Sequence, residues 1–388
     1  MGADIVAPTQ AQLQGLVQTF LDNQPNGLGF VIGYAGENFS DIFYAGNLAN
    51  QAGQSLPLNG AAPFELASVS KTFTATLYAL QMQAQSNPDL TLGQFPLGIG
   101  GQFADIPITS LVTYSSGLPQ DNETDAYDSP PYLPMPYGVP GMLGYLASTS
   151  MTPKPPNERY TYSNLAFGLM GGALAPLLAG NGQNFQQLMT ENVFSPLDIY
   201  AIFFDNIRLN RLPLGYAYSG SSPSPAQPGW ELFPAYNGAG GIVATPNDMM
   251  QWLKFNMGLI VNDTLTPLLP SLQSPATQVT TPWGDNLGLG WFLTPADNAD
   301  FPTVWKDGGL QGFNSYIAFL PSDAPGKQAS AAGCFVLTNS DGLYGGADNN
   351  TEICAAIAND VLYYMQGLTP PADKVGYPRT TPSRPISR

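Results

Sequence analysis

The chain has 388 residues, 44% hydrophobic and only 10% charged, with a formal net charge of −16; this length allows one large domain or two with a sizeable core. The negative charge argues against nucleic acids and anionic membrane surfaces as partners, and no apolar run reaches the roughly 18 residues of a membrane span. Histidine is absent, which excludes a Ser-His-Asp triad, a Cys-His pair and an imidazole-based zinc site, and leaves lysine, tyrosine or a carboxylate as proton acceptor for any nucleophile.

In chain order, the opening MGADIVAPTQ has no basic segment followed by an apolar one, so no signal peptide is expected. Six lysines against 42 glycines and 37 prolines read as a mature exported chain, periplasmic or secreted. TQAQLQGLVQTFLDNQ spaces Leu13, Val17 and Leu21 four apart and predicts an amphipathic helix. LGFVIGYAG and DIFYAGNL follow as two short strands around a polar turn at Glu37 to Ser40.

FELASVSKTFTATLYAL predicts a helix starting near Ser68, with Val69, Phe73 and Leu77 as its buried stripe. Of the six lysines only Lys71 has a serine three residues before it. Positions i and i+3 share a helix face, so the ammonium can reach the Ser68 hydroxyl, while the helix N-terminus favours developing negative charge. Alone, the pair equally describes an ordinary helix with a snorkelling lysine.

Residues 119–156 are rich in proline and acid, and predict neither regular helix nor central strand. They read either as a surface excursion or as a wall of a substrate cleft. RYTYSNLAFG then supplies Tyr162 and Asn164, the only Tyr-x-Asn among 19 tyrosines. A tyrosine beside cations can ionise below its usual value of about 10 and act as the base that histidine cannot provide; Asn164 would bond a substrate amide or Lys71.

Near the C-terminus NLGLGWFLT, FPTVWKDGG, NSYIAFLP and AGCFVLTNS predict four successive strands. Lys306 ends the second, followed by Gly308 and Gly309, where backbone can approach a ligand and an N–H can complete an oxyanion hole. NNTEICAAIANDVLYYM predicts a final helix with Ile353, Ile357 and Val361 on one face, and the tail from Gly367 is expected to be mobile. Cys334 and Cys354 read equally as a pair or as two isolated buried thiols. The expected fold is α/β in the α+β sense: an antiparallel sheet built from both termini (1–70 and 240–366), a mostly helical insertion (71–239) and a flexible tail (367–388), with the active site between the two units.

Taken in this order, FELASVSKTFT, YSN and KDGGLQGFNSYIAFLP resemble the serine β-lactamase and penicillin-binding-protein superfamily, most of all class C enzymes and their peptidase and esterase relatives. The likeness runs from about Ala11 to Tyr364, with LVTYSSGLPQ, FSPLDI, GAGGIVATPNDMMQWL and LGLGW as supporting landmarks. It implies Ser68 as acylated nucleophile, Lys71 as its partner, Tyr162 as base and Lys306 as the cation beside it. It also implies an oxyanion hole from the N–H groups of Ser68 and Gly309, with Asn164, Asp307, Gly308 and Gln120 at the substrate. No cofactor or metal is implied. The partner is a small molecule or a short peptide, ester or amide, and the sequence says nothing of oligomeric state. Whether lysine or tyrosine takes the serine proton stays open.

Asp307 stands where the family usually has threonine or serine. Strand alternation predicts that it points away from Lys306 and does not neutralise it. An ionised Asp307 about 6 Å from a substrate carboxylate would oppose it by about 3 kcal/mol at an effective dielectric of 20, roughly a hundredfold in affinity. The expected activity is therefore a serine acyl hydrolase whose substrates need no carboxylate. A class C-like β-lactamase or D-alanyl carboxypeptidase is the alternative, and a penicillin-recognising protein without turnover is a further one.

Overall fold

The computed structural model describes residues 5–22, 27–122, 135–204, 209–219, 222–225, 233–321, 332–341 and 353–371. Strands β1 (Gly29–Gly36) and β2 (Phe39–Gly46) form an N-terminal hairpin. Strands β3 (Asn286–Leu287), β4 (Phe292–Thr294), β5 (Thr303–Leu310), β6 (Phe313–Phe319) and β7 (Ala332–Thr338) come from the last third of the chain. All pair antiparallel in the order β3-β4-β5-β6-β7-β1-β2. The seam joining the two ends of the chain is β1 on β7, from Phe30 opposite Thr338 to Gly36 opposite Ala332. The expected sheet from both termini is therefore the observed one.

Period-two alternation gives this sheet two buried faces. Phe30, Ile32 and Val336 pack with Leu13 and Val17 of helix α1 (Gln10–Asp22) and with Ile357 and Val361 of the C-terminal helix α5 (Ile353–Met365). Val31, Phe335 and Leu337 pack on the other face with Trp252 and Leu253 of helix α4 (Pro246–Asn256). Every residue of β1 is buried, as a central strand requires, whereas β2 at the edge exposes Ser40 and Asp41.

Helix α2 (Ser70–Gln83) lies in the second core, and Ser70 through Ala79 are all buried. The predicted stripe of Val69, Phe73 and Leu77 is thus part of a helix buried nearly all round. Its threonines disguise this in the sequence. Thr72 and Thr76 donate back to Val69 O and Thr72 O at 2.8 and 2.9 Å, and Thr74 donates to Gly238 O at 2.7 Å, so the hydroxyls enter the core already satisfied. Phe73 stacks on Trp252 with ring centroids 3.8 Å apart, and burying such a side chain contributes about 1.5–3 kcal/mol.

Three expectations change. NLGLGWFLT is not one strand but the short pair β3 and β4, turned at Gly290, which has φ +76° and whose Cβ would lie 2.9 Å from Lys71 O; a glycine is required both for the turn and for the close approach. Residues 119–156 do contain a regular helix, Val139–Ser148, because Pro140 falls in its first turn, where no N–H is needed. The first hairpin turns at Glu37 and Asn38 alone, since Phe39 already pairs with Gly36. The tail expectation for 372–388 and the start of the last predicted helix lie outside the described residues.

Cys334 and Cys354 are buried and form no disulfide. Their thiols face Ala358 O at 3.4 Å and Asn314 O at 3.3 Å, and burial pushes the Cys334 thiol well above the usual cysteine range, which makes it unreactive. Among the described residues no helix is long and apolar enough to cross a membrane.

Candidate active site

Ser68 sits in a 3-10 turn, Ala67–Val69, that leads directly into α2. The turn is entered through Ala67 at φ +46°, a left-handed conformation unusual for a non-glycine residue. Ser68 is half-buried and reachable, while Lys71 is fully buried one turn on. Lys71 Nζ donates to Ser68 Oγ at 3.0 Å, to Asn164 Oδ1 at 2.7 Å and to the main-chain oxygen of Ala239 at 2.7 Å.

Tyr162 and Asn164 straddle the start of helix α3 (Asn164–Leu169). Ser163 between them is the N-cap: its Oγ accepts from Ala166 N at 2.9 Å and donates to Pro119 O at 2.6 Å. Gln120 enters through its main-chain carbonyl, which takes the N–H groups of Asn164 and Leu165 at 2.6 and 3.2 Å. These bonds set Tyr162 beside Ser68, and its OH donates to Ser68 Oγ at 2.5 Å. The ring is held parallel to Tyr114 (centroids 5.6 Å, 7°), which stacks in turn on Phe292 (4.9 Å, 13°) and donates its OH to Gly290 O at 2.8 Å.

Lys306 comes from β5 and is fully buried, its Nζ 5.4 Å from the Tyr162 ring centroid and 5.2 Å from that of Phe292. The expectation that Asp307 faces away fails: Lys306 Nζ donates to Asp307 Oδ1 at 2.5 Å and to Asp307 O at 2.7 Å. Alternation directs Cβ atoms, but a four-carbon stem can fold back along its own strand. The cation is therefore engaged by its neighbour.

Gly308 meets the Ala67–Val69 turn edge-on. A Cβ there would lie 2.3 Å from Leu66 O and 3.1 Å from Ser68 N, so its role in the geometry is close packing of strand on turn, and the next residue, Gly309, is exposed. Gly308→Ala is expected to lower stability by about 1–3 kcal/mol by overpacking and to impair turnover through displacement of Ser68; a denaturant midpoint and an ester assay on the same sample measure both.

The structure thus brings Ser68, Lys71, Tyr162, Asn164 and Lys306 into one cluster. Three contributors were not singled out from the sequence. Ala239 acts through a carbonyl, which leaves no side-chain signature. Tyr114 and Asp121 lie within or beside LVTYSSGLPQ; Asp121, 5% exposed, accepts from Asn164 Nδ2 at 3.0 Å. No group of three or more His, Cys, Asp or Glu able to hold a metal occurs among the described residues.

A serine within hydrogen-bond reach of a lysine and a tyrosine, in the turn that leads into α2 and beside strand β5, is an arrangement able to support nucleophilic chemistry. The chain belongs to the beta-lactamase family of serine acyl hydrolases: the family's sequence model, described as Beta-lactamase, matches residues 13–357. It is 28% identical to a beta-lactamase of Pseudomonas fluorescens over 308 residues, 70% of this chain and 79% of that protein. It is 27% identical to the D-alanyl-D-alanine-carboxypeptidase/endopeptidase AmpH of Escherichia coli K12 over 225 residues, but these cover only 56% of this chain and 55% of that protein. The fold matches the beta-lactamase/D-alanine carboxypeptidase of Pseudomonas syringae at a TM-score of 0.69 and 18% identity, over 93% of this chain and 99% of that one. It also matches an octameric penicillin-binding protein homologue from Pyrococcus abyssi at 0.72 and 17%, over 92% and 78%.

Proposed function

We propose that this chain is a serine hydrolase working by a class C-like Ser-Lys-Tyr mechanism on esters or amides that need no carboxylate beside the scissile bond. The observation that carries the reading is Ser68 Oγ lying 2.5 Å from Tyr162 OH and 3.0 Å from Lys71 Nζ. In this scheme the Tyr162 phenolate takes the Ser68 proton as Oγ attacks the substrate carbonyl. Lys71, engaged by Asn164 and Ala239, holds the charge that favours the phenolate. The N–H groups of Ser68 and Gly309 bind the oxyanion, worth about 2.7–4 kcal/mol per donor in comparable sites. Tyr162 returns the proton to the leaving group, which departs as the acyl–Ser68 ester forms. Tyr162 then draws a proton from a water that attacks the acyl carbon, and gives that proton to Ser68 Oγ as the ester bond breaks and the acid leaves. The reacting groups would lie at the seam between the sheet unit, 1–70 and 240–366, and the insertion, 71–239. An exported setting, periplasmic or secreted, is supported by composition.

The Lys306–Asp307 ion pair supports the substrate class: an ammonium already bound to a carboxylate 2.5 Å away offers little net attraction to a second one. Gln120, Asn164 and Gly308 border the space where such a substrate would lie. The names of the relatives, β-lactamase and D-alanyl-D-alanine carboxypeptidase, favour a second reading in which carboxylate-bearing substrates are preferred.

Asp307→Thr separates the two. It frees Lys306 and removes the neighbouring negative charge, so kcat/KM for a penicillin or an acyl-D-Ala-D-Ala peptide should rise about tenfold to a hundredfold, or roughly one to three kcal/mol. A neutral nitrophenyl ester should change much less. Repeating the assay at two salt concentrations shows how far the charge is screened. An equal response of both substrates, or a strong wild-type preference for penicillins, selects the second reading.

A further inference from the structure

We infer that Asp121 is a positioning residue of the acyl-transfer site: by accepting from Asn164 Nδ2 it fixes which end of that amide faces Lys71, and so holds Lys71 Nζ on Ser68 Oγ. The inference rests on the reading of Ser68 as nucleophile.

The two ends of an asparagine side chain have almost the same shape, so steric fit alone does not choose between them. Lys71 as an ammonium has only donors, and it needs Oδ1 of Asn164, which it meets at 2.7 Å. With the amide turned over, an NH2 group would face the ammonium and a charge-assisted bond would be lost. An ionised carboxylate has only acceptors, and Asp121 Oδ1 meets the other end of the same amide at 3.0 Å. One amide between an obligate acceptor and an obligate donor has a single satisfied orientation.

The surroundings make this a built contact. Residues 119–121 hold residues 163–165 by successive groups: Pro119 O takes Ser163 Oγ, Gln120 O takes the N–H groups of Asn164 and Leu165, and the Asp121 carboxylate takes the Asn164 side chain. The main chain of Asn164 is therefore fixed independently of its side chain, and Asp121 acts on the amide end of that residue. Asp121 is 5% exposed, so bulk water does not substitute for it. Burying a carboxylate is costly, and an asparagine of the same shape could also bond Asn164. Two facing amides, however, satisfy each other in either of two orientations, one of which turns NH2 toward Lys71. A carboxylate accepting through Oδ1, as Asp121 does here, has no NH2 group to present and removes that second state.

A double-mutant cycle on ester hydrolysis tests this. Asp121→Asn should lower kcat about threefold to tenfold while changing KM less than about twofold, because Lys71 is misplaced and substrate contacts are not. Asp121→Ala, which removes the acceptor, should cost at least as much. In an Asn164→Ala background both substitutions should change kcat by less than about twofold, since the amide they act through is gone. Losses that multiply across the two backgrounds, or an Asp121→Asn enzyme with normal kcat, overturn the inference. So does loss of the fold in both Asp121 variants, followed by circular dichroism, because Asp121 would then serve the fold rather than the site. Wild type and Ser68→Ala are run alongside. If wild-type turnover does not depend on Ser68, the proposed function fails; if it does and the cycle is additive, only the role of Asp121 fails.

Discussion

Ser68→Ala should abolish ester hydrolysis and covalent labelling, a fall on the order of a thousandfold or more toward the solution rate, while the protein stays folded. The hydroxyl is half-buried and within reach of both Lys71 and Tyr162. Its removal leaves Lys71 bonded to Asn164 Oδ1 and Ala239 O, so no buried cation is stranded. The stability cost is then that of one ordinary hydrogen bond, about 1 kcal/mol, read as a small shift in Tm. Esterase activity above a trace in the variant would mean that the nucleophile is misassigned.

Tyr162→Phe should lower kcat about a hundredfold or more, the range for loss of a general base. The ring stack on Tyr114 needs no hydroxyl, so the aromatic packing at 5.6 Å is retained and the loss is specific to the oxygen 2.5 Å from Ser68. The pH–rate profile carries the sharper information. If the phenolate population sets the acid limb, the wild-type rate climbs with pH through the titration of Tyr162, and that limb should vanish in the variant. An unaltered profile with near-normal kcat would give the base role to Lys71.

The contact between Ser68 and Lys71 was legible in the sequence because one helical turn suffices to bring them together, and no longer-range geometry is needed. The absence of histidine did equal work by leaving few candidates for the base. The sheet was legible for a similar reason: both ends of the chain carry short apolar strands, and α1 and α5 carry apolar residues at helical spacing. What stayed hidden depended on contacts rather than on residue type. Asp121 lies in an acidic, proline-rich stretch where Glu123, Asp125 and Asp128 look the same in sequence, and its pairing with Asn164 is a long-range contact that residue type does not announce. Gly290 splits an apparently continuous strand because Lys71 O approaches it, a long-range fact. The Lys306–Asp307 pair shows where alternation misleads, since it governs the first atom of a side chain and not the last.

The most direct measurement is the intact mass of the protein during turnover. Wild type mixed with a nitrophenyl ester, and separately with a penicillin, is quenched in acid within the first turnovers and weighed. With the ester, a transient increase by the mass of the acyl group is expected, with the penicillin a smaller or slower adduct, and in Ser68→Ala neither. An adduct that persists in Ser68→Ala, or wild-type hydrolysis that proceeds with no adduct at any time point or pH, would contradict acyl transfer through Ser68.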